Sequence, residues 1–158
     1  MILVTVGTQL AFDRLVEAVD LWLERNPSEK AFAQIGPAEY RPQHLESEDF
    51  VRPDQADLLF SKADLIVSHA GMGSILTALK YKKPILIMPR RAALGEHRND
   101  HQLATAKWLG GKPGVTVAWE ADDVARFLDD RANLRGGEGI SEFASPELIA
   151  NLKNFIHS

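Results

Sequence analysis

The residues able to do chemistry fall in three short segments. Ser68-His69-Ala70-Gly71-Met72-Gly73-Ser74 follows an apolar run and opens a helical pattern. Glycines let a ligand approach the backbone, and a helix N-terminus presents unpaired N–H groups with about half a positive charge. This loop is therefore suited to a phosphate, with the Ser74 hydroxyl as an added donor. A tight β-to-α turn would use the same glycines with no ligand. Pro89-Arg90-Arg91 comes next, with Glu96-His97-Arg98-Asn99-Asp100-His101-Gln102 after it. Arg90, at a strand end, has the fork geometry to clamp a diphosphate, while Glu96, Asn99 and Gln102 can grip sugar or ribose hydroxyls. Arg91 and Arg98 read as solvated charges, and Asp100 as a favourable charge at a helix N-terminus. Gly7-Thr8, after the first apolar run, stands across the crevice from the glycine loop.

Other chemistries each lack a part. His97 and His101 are four apart and with His69 form a candidate zinc set, but neither H-E-x-x-H nor a comparable metal spacing is present, so no metal is expected. A nucleophile elbow needs G-x-S-x-G, and Gly71-Met72-Gly73-Ser74 has the wrong order. A dinucleotide fold places G-x-G-x-x-G after its first strand, where this chain has Gly7-Thr8-Gln9-Leu10. No P-loop occurs. A phosphate bound after the fourth strand points to a nucleotide held differently from a dinucleotide.

Those segments need a scaffold that gathers strand ends. Ile2 to Val6 reads as a buried strand, and Phe12, Leu15, Val16, Val19 and Leu23 follow at helical spacing. Ala31 to Ile35 and Phe50 to Val51 are short strand candidates, and Asp54 to Lys62 reads as a helix after Pro53. Leu65 to Val67 and Ile85 to Met88 are apolar runs of the kind covered on both faces by helices, with a helix from Ser74 to Tyr81 between them. Asn99 to Leu109 reads as a helix, Val115 to Val117 as a strand, and Asp122 to Leu128 as a helix. After a glycine-rich loop at Arg135 to Gly139, Ser145-Pro146-Glu147 opens a last helix over about 145–157, with Leu148, Ile149, Leu152, Phe155 and Ile156 as its stripe. This alternation predicts an α/β fold, a Rossmann-like parallel sheet of about six strands with helices on both faces, which binds ligands at the carboxyl ends of its strands.

Composition narrows the function. The chain of 158 residues is 45% hydrophobic and 25% charged, which suits a single domain over 1–158. A net charge of −4 with bases and acids interspersed argues against nucleic acid as a partner. The absence of cysteine removes disulfides, thiolate metal sites and cysteine nucleophiles, and agrees with a cytoplasmic address. MILVTVG is too short and uncharged for a signal peptide, and no apolar run approaches the ~20 residues that span a bilayer.

Taken together, MILVTVGT with Phe12-Asp13-Arg14-Leu15-Val16, the Ser68 to Ser74 loop, Lys83-Pro84 and Asn99-Asp100-His101-Gln102-Leu103-Ala104 resemble the C-terminal, donor-binding domain of family 28 glycosyltransferases. The resemblance runs from about Met1 to Trp119. In size it is nearest the stand-alone subunits of two-part enzymes, those of dolichol-linked oligosaccharide synthesis and of bacterial exopolysaccharide synthesis. Pro89-Arg90-Arg91 and Gly95 to Gln102 look most like the exopolysaccharide branch.

The resemblance implies one half of a GT-B glycosyltransferase that holds a UDP-sugar, with a membrane-associated subunit supplying the lipid-linked saccharide acceptor at the cytoplasmic membrane face. It implies an inverting transfer of a hexose without a metal or other cofactor, in line with the absence of D-x-D. By matched position Gly7 and Thr8 would line the donor crevice; His69, Ala70, Gly71, Met72, Gly73 and Ser74 would approach the diphosphate and sugar; Asn99 and Gln102 would meet the donor sugar. Arg90, His97 and Glu96 join the candidate set, and no general base is assigned. One departure stands out: where relatives carry a ribose-binding glutamate this chain has Thr77, so either Thr77 makes one weaker hydrogen bond or Glu96 reaches in. The competing reading is a non-enzymatic nucleotide-sugar sensor or scaffold, with a UDP-sugar hydrolase or epimerase as a third.

Overall fold

A computed structural model describes residues 1–137. Six strands form one sheet: β1 (Ile2–Thr5), β2 (Ala31–Gln34), β3 (Glu46–Glu48), β4 (Leu65–His69), β5 (Ile85–Met88) and β6 (Val115–Val117). Every pairing is parallel and the spatial order is β3-β2-β1-β4-β5-β6. The chain therefore starts at the middle of the sheet, winds outward to β3, then crosses to β4 and winds the other way. Loops leaving β1 and β4 diverge at that switch, which opens a crevice at the carboxyl edge of the sheet.

Period-two alternation decides which helix covers which face. Ile2, Val4, Leu65, Val67, Leu86 and Met88 point into one apolar cluster, shared with Leu15, Val16, Val19 and Trp22 of helix α1 (Asp13–Arg25) and with Val124 and Leu128 of α5 (Ala121–Asp129). Leu3, Ile66, Ile85 and Ile87 point into the other. They meet Phe60 of α2 (Pro53–Lys62), Ile75 and Leu79 of α3 (Met72–Lys80), and Ala106 and Leu109 of α4 (His101–Leu109). A strand buried on both faces has no polar side to show, which is why these strands read as unbroken apolar runs.

The differences from expectation lie at edges and ends. The strand expected at Phe50–Val51 is instead Glu46–Glu48, and Phe50 is exposed. As an edge strand it pairs only with β2, through Phe32↔Glu46, so it needs no apolar residues. Helix α3 begins two residues before Ser74. Helix α4 begins two residues after Asn99, because the Asn99 side-chain oxygen accepts the His101 N–H (3.0 Å) in a local turn ahead of the helix. The glycine-rich loop is described as far as Gly137, and the expected helix over about 145–157 lies outside the described residues.

Candidate functional site

The crevice encloses about 540 Å³. Its walls come from Gly7 to Leu10 after β1, His69 to Ser74 with Thr77 around the start of α3, Ala56 and Phe60 of α2, and His97 to Asn99, His101 and Gln102 after β5. Among the described residues no aspartate or glutamate lines it, although the whole chain carries 22 acids against 18 lysines and arginines. Arg90, Arg98 and three histidines are the titratable side chains the described residues place there.

The tip of α3 faces this space uncapped. Gly71 at the N-cap is extended (φ −88°, ψ 139°), and among the described residues no side chain caps the helix. The first turn bond runs from Ile75 N to Gly71 O (3.2 Å), so the N–H groups of Met72, Gly73 and Ser74 precede any intrahelical acceptor. Gly73 is exposed, and a Cβ placed on it would meet nothing within 4 Å. In a helix, glycine costs about 1 kcal/mol relative to alanine. Among the described residues no neighbour demands that cost at Gly73, and its amide is open to close approach.

Gly7 and Gly71 have a different reason to lack side chains. A Cβ on Gly71 would lie 2.3 Å from Cε1 of His69, and one on Gly7 would lie 3.0 Å from the same ring, with Gly7 also at φ +77°. The imidazole is wedged between the two loops. Its Nδ1 lies 3.4 Å from Arg90 Nε and 3.1 Å from Gln102 Nε2. Arginine can only donate, so Nδ1 is the acceptor and the proton of the neutral ring sits on Nε2. Burial, then the Arg90 charge, then His97 push the ring down to about 3. At neutral pH His69 is thus an uncharged hydrogen-bond donor. It holds no free basic nitrogen.

Gln102 completes this anchor: its Oε1 accepts Ala70 N and Arg90 N, both at 3.1 Å, tying the end of β4 to the end of β5. Arg90 is 2% exposed and stacks 4.9 Å from the Phe12 ring centroid. Burial lowers its pKa to about 10, against the pull of Glu96, so it stays cationic. Its N–H groups go to the carbonyls of Ala11 (2.6 Å), Glu96 (3.3 Å), Val6 (2.5 Å) and Leu10 (3.0 Å), besides His69. The expected diphosphate clamp is corrected accordingly. Arg90 borders the crevice with all of its donors committed, and it shapes the β1 loop by gathering that loop's carbonyls.

Glu96 is also corrected. It does not line the crevice; Arg14 holds both its oxygens at 2.9 Å, and Oε1 further accepts Arg91 N (3.0 Å). Of the remaining expected residues, Thr8, Ala70, Met72, Ser74, His97 and Asn99 all line the space. His97 accepts Asn99 N at Nδ1 (3.3 Å), and its pKa is lowered by burial and then by Arg90, Arg98 and His101. Among the described residues no group of three or more histidine, cysteine, aspartate or glutamate side chains is arranged to hold a metal ion. Sequence reasoning missed Gln34, which donates to Gly7 O (3.0 Å) and accepts Val51 N (2.9 Å), positioning the β1 loop. Its signal was a lone polar residue closing an otherwise apolar strand.

Comparison with known proteins follows the same lines. The family model described as glycosyltransferase family 28 C-terminal domain matches residues 1–116. The human UDP-N-acetylglucosamine transferase subunit ALG13 is 32% identical over 118 residues, 68% of this chain and 10% of that protein. The subunit of the same name from Yarrowia lipolytica is 26% identical over 141 residues, covering 78% of this chain and 67% of its own length. The solution structure of ALG13 superposes with TM-score 0.62 at 18% identity, over 99% of this chain and 96% of that one. The crystal structure of the glycotransferase of kitacinnamycin gives TM-score 0.62 at 21% identity, over 99% of this chain and 38% of that one. At these identities the structural likeness speaks for the fold. The chain spans about a tenth of the human relative's length.

Proposed function

Because this chain belongs to the glycosyltransferase family 28 C-terminal domain family, we propose that it is the donor-binding catalytic subunit of an inverting, UDP-sugar-dependent glycosyltransferase. One observation carries the reading: a crevice that, among the described residues of an acidic protein, has no acidic side chain and receives the amides of a helix tip with no side-chain cap. A diphosphate is the ligand such a surface fits. As the bond from the anomeric carbon to the diphosphate oxygen breaks, the electron pair stays with UDP. The amides of Met72 to Ser74 and the Nε2–H of His69 are placed to offset that charge without a metal.

The acceptor oxygen must lose a proton, and among the described residues the crevice shows no carboxylate and no basic imidazole at His69 to take it. On this reading the acceptor sits on a second component, a membrane-associated subunit that presents a lipid-linked saccharide at the cytoplasmic face, as the resemblance to two-part enzymes implies, and no residue is named as the base. The relatives' names, transferase subunits, support a shared active enzyme, and the hexose is proposed to enter polysaccharide synthesis. Among the described residues no helix is long and apolar enough to cross a membrane.

Thermal unfolding with UDP and UDP-sugars tests the reading. At a ligand concentration 100-fold above its Kd, Tm should rise by roughly 5–15 °C. A rise with nicotinamide dinucleotides and none with UDP overturns it. Turnover on adding the membrane subunit separates an enzyme from a binding-only sensor.

A further inference from the structure

The two helical layers end in different chemistry at the amino edge of the sheet. Helices α1 and α5 close with Glu24, Arg25, Asp129 and Asp130, a mixture of signs. Helices α2, α3 and α4 carry Lys62, Lys80 and Lys107 in their last turns and no acid there. The loops that follow α3 and α4 add Lys82, Lys83 and Lys112. Strands β4, β5 and β6 start side by side, with Ile66 opposite Ile85 and Ile85 opposite Val115, at about 4.8 Å per strand. The segments leading into them therefore gather these lysines at one corner of the molecule. Five are exposed and Lys83 is half-buried, and none of the six lines the crevice. Acids and bases are interspersed along the chain, but the fold sorts them.

Helix dipoles account for one cation at each helix end, and so for Lys62, Lys80 and Lys107. They do not account for the loop lysines, least of all Lys82, which has a left-handed backbone at φ 56°. The Lys82 N–H donates to Leu79 O (3.0 Å) and the Lys83 N–H to Ala78 O (2.9 Å), the paired bonds that end a helix on a residue usually glycine. Lysine is strained there where glycine is not, and what it brings is another charge at this corner. A lysine bears a compact, mobile charge without the planar fork that reads one phosphate or carboxylate. Lysines on separate loops therefore fit diffuse negative charge better than a single bound ion. Tyr81 and Trp108 stand among them, both half-buried, and rings of these types favour the boundary between water and lipid. The acids that the described residues place beside them are already held, Asp57 by the Tyr81 hydroxyl and Asp64 by the Met1 ammonium (2.6 Å).

We propose that this lysine corner is a docking surface for an anionic lipid bilayer, one that leaves the crevice clear of the contact. Sedimentation of the whole chain with vesicles tests it. Vesicles of equal parts phosphatidylglycerol and phosphatidylcholine should bind the protein, less so as salt screens the charges, and phosphatidylcholine alone should not. Each lysine near such a surface is worth about fivefold in binding, so a variant with Lys82→Gln, Lys83→Gln and Lys112→Gln should bind on the order of 100-fold more weakly. Lys82→Gly should lose about fivefold while Tm holds or rises, because it relieves the left-handed backbone. Arg25→Gln, an equal change of charge at the end of α1 in the other layer, should stay within about twofold. Equal binding to both vesicles, a folded triple variant that binds as the parent does, or an equal loss on Arg25→Gln overturns the proposal. So does tighter binding of single-stranded RNA than of the anionic vesicles, which gives the surface to a nucleic acid. UDP affinity should not change in the same variants, so each of these outcomes leaves the nucleotide reading standing.

Discussion

Two buried polar centres, Asp20 and the His69–Arg90 pair, obey different rules. Asp20 on α1 is 1% exposed and accepts from Tyr40 Oη (2.6 Å), Gln43 N (3.1 Å), His44 N (2.7 Å) and Leu45 N (2.9 Å), clasping the loop between β2 and β3. Burial raises its pKa, but these hydrogen bonds outweigh that and the carboxyl ends below its usual value, while Tyr40 is pushed up to about 12. Every direction around Asp20 is answered by the protein. Around Arg90 and His69 the protein answers the guanidinium completely and one ring nitrogen, then stops at the crevice wall. The first centre closes on itself, whereas the second is closed behind and left open in front, as the proposed donor site requires.

The comparison breaks most sharply on removal of either centre. Arg90→Met leaves four backbone carbonyls unanswered and should cost about 4 kcal/mol in urea denaturation, with UDP binding lost as the β1 loop disperses. Asp20→Ala should cost about 3 kcal/mol and leave UDP affinity within about twofold. Equal losses of binding in the two variants, once stability is restored by osmolyte, would erase the distinction.

Acid titration gives a second, smaller separation. His69 is held near 3 in the fold and returns to 6.5 when unfolded, so the unfolded state binds the extra proton between those values. Stability from His69 is therefore present above about 6.5 and declines as pH falls towards about 3. The urea midpoint should track that decline, and His69→Gln should flatten it. UDP affinity, by contrast, should owe nothing to His69 titration between about pH 6.5 and 8.

Smallest in energy and most pointed is Gly73→Ala. An added methyl meets open space and improves helix propensity, so stability should hold or rise by up to about 1 kcal/mol. Nucleotide affinity should fall roughly tenfold as the methyl blocks the approach to the amide. Unchanged affinity would return Gly73 to the status of an ordinary turn residue.

Much of this was legible in the sequence because apolar runs and helical spacing are local. The doubly covered strands, the switch-point crevice and the loop from His69 to Ser74 all follow from local pattern. What failed was long-range pairing. Nothing near Glu96 announces that Arg14, 82 residues earlier, will capture it, and nothing near Arg90 announces the four carbonyls that fold around it. Gly7 and Gly71 line the crevice but make room for an imidazole, whereas a Cβ on Gly73 would meet open space. Glu46–Glu48 escaped notice because a strand at the rim of a sheet needs no hydrophobic pattern.

The open tip of α3 carries a last implication. On the proposed reading, a surface that steadies a nucleotide while it departs grips the spent nucleotide just as well, since the same charge is then fully formed. Turnover would be governed by how fast that product escapes, and added salt, by screening the grip, would quicken release even as it weakens capture.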